Sequence, residues 1–175
     1  MAKIYRDDYG IPHIMATTSF DAAKAIAYVH SEDDFYTLQL WFLAIKFKSG
    51  HFDDWDGPYL DFLSFFFDIQ SKTLDLLPTI SDEYKSLADS YCSGINLYAK
   101  EHEENVLDPS IFPVNSVDLL QVQHLMEVIG IQIDKPYSYL NKKQSRRLPH
   151  KEGSNAIAIG VNLSLIHISE PTRPY

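Results

Sequence analysis

A single cysteine, Cys92, occurs among 175 residues, which excludes an intrachain disulfide and any metal cluster built on cysteine pairs. Cys92 itself reads as a small hydrophobe on a helix. Positive charge is also scarce: 15 Lys and Arg stand against 24 Asp and Glu, a formal charge of −9. That balance argues against nucleic acid or an anionic membrane as partner, since phosphate binding needs an excess of Lys and Arg. No run is long or apolar enough to span a bilayer. Met1-Ala2-Lys3 leads straight into a strand-like stretch, without the apolar core of a signal peptide. Internal repeats, a Gly-rich phosphate loop and a His-Glu-x-x-His zinc motif are all missing. His124-x-x-Glu127 and His30-x-Glu32 are short ligand-like pairs, but two such residues on one turn are far more often surface polar groups, so no metal is expected.

What the chain does have is apolar and aromatic residues enough for one sizeable domain, with 13% aromatic content. Phe62, Phe65, Phe66 and Phe67 crowd into six positions. Residues 2–16 read as two short extended pieces around a Tyr9-Gly10 turn. Thr18 or Ser19 then caps a helix over about 20–46 that is apolar nearly all round. The polar cluster His30-Ser31-Glu32-Asp33-Asp34 interrupts it and is too charged to be buried without partners. Gly57-Pro58 starts a third element, and the stretch 59–77 is again apolar on more than one side. Ser81 opens a helix whose apolar residues Tyr84, Leu87, Ala88, Tyr91, Ile95 and Tyr98 step by three and four, fraying at Glu101-His102-Glu103-Glu104. Asn115 can cap another, bearing Leu119, Val122, Met126 and Ile129 on one face.

Residues 135–152 differ from the rest. They hold two prolines, no apolar periodicity and the basic residues Lys142, Lys143, Arg146, Arg147 and Lys151. Such a stretch reads either as a solvated loop or as an exposed connector placed so that the chain can be cut beside it. Gly153-Ser154-Asn155 follows, and from Ser154 the pattern has period two. Asn155, Ile157, Ile159 and Val161 share one face; Ser154, Ala156, Ala158 and Gly160 share the other. One hydroxyl on a bare face suits a nucleophile, with the Gly153 carbonyl unhindered beside it. The residues alone leave open an ordinary Gly-Ser turn entering a buried strand. Residues 163–173 resemble the in-frame translation of a sequencing-library adapter, and 163–175 are set aside as a non-native tail.

Ile4-Tyr5-Arg6-Asp7-Asp8-Tyr9-Gly10-Ile11-Pro12-His13-Ile14, then Asp21-Ala22 and Tyr28-Val29-His30-Ser31-Glu32-Asp33, resemble the opening of the penicillin acylase family, and more narrowly its acyl-homoserine lactone and aculeacin-type acylases. Gly153-Ser154-Asn155-Ala156 is similar to the processing site of that family, and Ser93-Gly94-Ile95-Asn96 and Phe112-Pro113-Val114 add to the likeness. Two stretches depart from it: Asp34 stands where many members have arginine, and Lys46-Phe47-Lys48-Ser49-Gly50 replaces an Arg-Gly-containing stretch.

The resemblance implies an N-terminal nucleophile hydrolase of α+β class, with a four-layer αββα core in the complete protein. Residues 1–134 would be a mostly helical α-chain region with an N-terminal extended pair, 135–153 a spacer, and 154–162 the start of a β chain. It implies Ser154 as nucleophile and Gly153 with Ser154 as the autoprocessing pair. The helical part would wall an acyl pocket, with Met126 and Ile129 assigned to it; plain core packing is the alternative. The expected partners are an N-acyl amide substrate and the chain's own β chain. No cofactor is implied for catalysis, and the structural calcium the resemblance leaves room for is specified by no residue pattern here. Export to the periplasm is expected by resemblance alone. A fragment of this extent is expected to be inactive and poorly soluble by itself, since its helices need a partner surface. The rival expectation is a helical interaction or scaffold domain in which Ser154 only opens a strand.

Overall fold

The computed structural model describes residues 2–53 and 56–130. The connector, Gly153, Ser154 and the tail lie outside the described residues.

The chain opens with an antiparallel hairpin of β1 (Lys3–Arg6) and β2 (Pro12–Met15), in register with Lys3 opposite Met15 and Arg6 opposite Pro12. Its turn is built by Asp7, whose Oδ1 accepts from the backbone N–H of Tyr9 at 2.9 Å and of Ile11 at 3.0 Å. Gly10, at φ +80, takes the left-handed step that a side chain would resist. The two extended pieces predicted around Tyr9-Gly10 are these strands, and they are the only sheet among the described residues.

Helix α1 (Ser19–Ala44) is capped by Thr18, whose hydroxyl accepts from Asp21 N–H at 3.1 Å. It runs through the polar cluster and loses helical geometry only at Asp34 (φ −153, ψ 64). There the Asp34 carboxylate accepts from Thr37 N–H at 3.2 Å and so restarts the helix as a second cap. Ser31 is fully buried, its hydroxyl donating to Ala27 O at 2.9 Å. The all-round burial expected of this helix holds for Leu38–Ala44 except Trp41, whereas Ile26 and Tyr36 are half exposed.

The stretch 59–77 is two helices, not one: α2 (Gly57–Phe66) and α3 (Ile69–Leu76). They part at Asp68, which sits in the left-handed region (φ 51), a conformation Asp tolerates better than most residues. The bend turns Ile69 into the core and leaves Phe65 73% exposed, with Phe62 and Phe66 also uncovered. From within α2, the Asp61 carboxylate accepts from Ser49 N–H, Gly50 N–H and the Ser49 hydroxyl ahead of the helix at 2.9, 2.9 and 2.6 Å.

Helix α4 (Asp82–Glu101) starts at the Ser81 cap and packs along α1. They are in close contact at Gly94, where an added Cβ would collide with Lys24 O. Helix α5 (Ser116–Gly130) is entered by a reciprocal box: Asn115 Oδ1 accepts from Val117 and Asp118 N–H, and Asp118 Oδ2 accepts from Asn115 N–H. The core gathers where α1, α3, α4 and α5 meet, around Phe42, Leu43, Ile69, Ile95 and Leu125.

Candidate functional site

Arg6, the last residue of β1, points its guanidinium across to α1. Its Nη2 donates to Asp33 Oδ1 at 2.7 Å and to Glu32 Oε2 at 3.0 Å, and its Nη1 donates to Gly10 O at 2.9 Å. The charged cluster thus finds its partner in the hairpin. Both carboxylates raise the pKa of Arg6, the Glu32 hydrogen bond contributing most. All three side chains are partly solvated, which holds each pair to about 0–1 kcal/mol. On the same hairpin, Tyr5 and His13 stack at 4.7 Å, and His13 Nε2 stands 3.0 Å from Asp7 Oδ2. That bond is the first cause holding the Asp7 carboxyl below its usual range.

Met126 and Ile129 fall differently on α5. Ile129 is half-buried and packs on the core, whereas Met126 is 48% exposed. The buried edge of the helix runs through Leu120, Gln121, Val122 and Leu125. α5 has α3 and α4 as neighbours. Of the expected face, Val122 is buried and Leu119 and Ile129 pack on the core, while Met126 is left open. Along α4, a groove of about 690 Å³ runs between Ala99 and Lys100 on one side and Phe112 and Pro113 on the other.

The ligand-like pairs are engaged elsewhere. His30 Nδ1 lies 2.8 Å from Tyr91 OH, Glu32 belongs to Arg6, and His124 Nδ1 lies 3.1 Å from Thr73 Oγ1. Among the described residues no three His, Cys, Asp or Glu side chains gather as a metal site. No helix among them is long and apolar enough to cross a membrane. Cys92 is 1% exposed, and burial pushes its thiol up to about 12, leaving it without thiolate character at neutral pH. Tyr28 is pushed up to about 12 as well, first by its hydrogen bond to Glu101 at 2.8 Å.

Sequence reasoning left the Arg6 contacts unread, although both ends of the contact lie in the stretches that carry the resemblance. The same is true of Asn96, whose amide exchanges two 2.8 Å hydrogen bonds with the backbone of Val114.

The fold is similar to that of a solved acylase. The chain resembles a thermostable penicillin G acylase from Alcaligenes faecalis in a tetragonal form, with a TM-score of 0.52 and 12% identity over 91% of this chain and 98% of that one. At that identity the likeness speaks for the fold alone. A family model for penicillin amidase matches residues 1–164, and the chain belongs to that family, whose name marks hydrolases of amides. No curated protein matches the chain.

Proposed function

We propose that this chain is the N-terminal portion of an autoprocessing amidohydrolase precursor that hydrolyses N-acyl amides, such as acyl-homoserine lactones, penicillin-like amides or lipopeptides, through an N-terminal serine. The observation that carries the reading is the reach of the family match: it runs to residue 164 and takes in Gly153-Ser154. In processing, the Ser154 hydroxyl adds to the Gly153 carbonyl, its proton passes to the departing nitrogen, and the C–N bond breaks to leave an ester and a free Ser154 amine. Water then hydrolyses the ester, giving a Gly153 carboxylate and restoring the hydroxyl. A free α-amine ordinarily has a pKa of about 7.7–8.0, so near neutral pH such an amine serves as base for its own hydroxyl. Substrate amides are opened by the same hydroxyl through an acyl-enzyme.

Two features of the helical body support a second chain as partner. The hairpin is a sheet of two strands with both outer edges unpaired among the described residues, and two strands are marginal alone. The period-two pattern from Ser154 is the pattern expected of a further strand. The uncovered Phe62, Phe65 and Phe66 on α2 suit a partner surface in the same way. Met126 and Ile129 are assigned to the acyl-pocket wall and the destination to the periplasm, both on family grounds.

The test is the intact mass of the precursor with its downstream coding sequence restored. Splitting after Gly153, with Ser154→Ala remaining whole, is the expected outcome. A folded wild-type precursor that never splits would favour the non-catalytic helical scaffold.

A further inference from the structure

We propose that the groove between the end of α4 and the segment 106–113 is a binding site for an amphiphilic cation, an ammonium carried on an aryl or alkyl body. The inference stands apart from the amidohydrolase reading and does not depend on it.

Both walls of the groove are held in place. One is the C-terminal half of α4, with Ala99 and Lys100 in its last turn. That helix is fixed against α1 by the close contact at Gly94 and by the 2.8 Å hydrogen bond from Tyr28 OH to Glu101. The other wall is the segment returning from α4 toward α5, and it is tied down at three places. Gln39 holds the entry through Asn105 O and Leu107 N–H. Lys48 Nζ holds the middle, 2.9 Å from Asp108 Oδ2 and 2.6 Å from Ser110 Oγ. Asn96 holds the exit through its two bonds to Val114, and Phe112 stacks on Phe35. Walls so anchored do not collapse inward. The space of about 690 Å³ between them falls within the roughly 300–1,000 Å³ of small-molecule sites.

The lining fixes the chemistry of the occupant. Ala99, Val106, Phe112 and Pro113 offer apolar surface for the body, and Lys100 and Glu103 stand beside them. Charge selects the head group. Residues 100–104 set Glu101, Glu103 and Glu104 against Lys100 alone. The last carbonyls of α4 add the negative end of the helix dipole at the same lip. Glu101 is engaged by Tyr28, and Glu104 Oε1 lies 3.4 Å from His102 Nδ1. The Glu103 carboxylate enters no hydrogen bond or ion pair among the described residues. Lys100 is exposed, and its flexible stem lets the ammonium swing out to water. A ligand ammonium therefore meets an unengaged carboxylate and a helix end of favourable sign, whereas a ligand carboxylate meets like charge.

The experiment titrates the precursor with its downstream coding sequence restored and follows the methyl NMR signals of Ala99 and Val106, which line the groove. The probes are phenylbutylamine, phenylbutanol and phenylbutyrate, one body with three head groups. Binding elsewhere on the precursor leaves these two methyl groups unmoved. The amine is expected to shift both signals saturably and to bind at least about fivefold more tightly than the carboxylate, with the alcohol between them. Glu103→Gln is expected to weaken the amine by about threefold, and Lys100→Gln to tighten it by about twofold. Both side chains are exposed, so neither change disturbs the core. Absence of a saturable shift with the amine below about 10 mM overturns the site. A carboxylate that binds as tightly as the amine overturns it as well, and so does a Glu103→Gln variant that binds the amine as the wild type does.

Discussion

The side-chain oxygen of Gln39 accepts a 2.8 Å hydrogen bond from the backbone N–H of Leu107, while its amide donates to Asn105 O at 3.0 Å. Gln39 is 1% exposed in the middle of α1, and its partners lie on the segment that leaves α4. One amide thus satisfies a donor and an acceptor of a chain segment that has no ladder of its own. Gln39→Ala leaves both groups unpaired and is expected to destabilise the folded protein by about 1–3 kcal/mol. The denaturant midpoint reads this directly. An unchanged midpoint would mean that water replaces the amide without cost.

Gly94 is a point of close approach between α4 and α1. A methyl group there would lie 2.2 Å from Lys24 O and 2.9 Å from Ala27 Cβ, and the backbone carbonyl cannot swing aside as a side-chain tip could. Gly94→Ala is expected to push the helices apart and to cost about 1–3 kcal/mol, even though alanine favours a helix more than glycine. Thermal unfolding checks the sign: a stabilised variant would mean that the interface has slack.

These contacts also mark where the sequence is legible. Caps at Thr18, Ser81 and Asn115 could be read because each is a local pairing of a side chain with an N–H two or three residues on. The hairpin was legible for the same reason. The division of α2 from α3 was not, because Asp68 in the left-handed region interrupts an apolar run that periodicity reads as continuous. The buried face of α5 was missed at Met126, since which side faces the core depends on where α3 and α4 stand. Of the candidate site, the Arg6 contacts join residues 26 and 27 positions apart, a separation that local reasoning does not span. The Gly153-Ser154 junction, read from pattern and resemblance, lies outside the described residues.

Cys92 gives a probe of whether the body opens. Burial removes the thiol from reagent and holds it protonated, so the folded protein is expected to resist alkylation at mildly alkaline pH and to react fully once unfolded. Mass spectrometry after timed exposure to iodoacetamide measures both. Rapid labelling of the folded protein would show that α4 separates from its neighbours on that timescale.

Asp108 offers a test in pH. Its Oδ2 stands 2.9 Å from Lys48 Nζ, and its Oδ1 accepts from Ser110 N–H at 2.8 Å. The Ser110 hydroxyl first, then the Lys48 ammonium and the Ser110 backbone, bring the carboxyl down from 3.8 to about 2. A depressed folded pKa means that the unfolded chain takes up the proton before the folded one does. The stabilisation is therefore fully present above 3.8 and is lost as pH falls through about 2. Wild type is expected to lose more stability across that window than Asp108→Asn, so that the gap between them closes at the acid end. Carboxyl carbon NMR of the folded protein gives the midpoint independently. A midpoint at 3.8 or above would sink the assignment, and with it the claim that Lys48 and Ser110 hold this carboxylate in its ionised form.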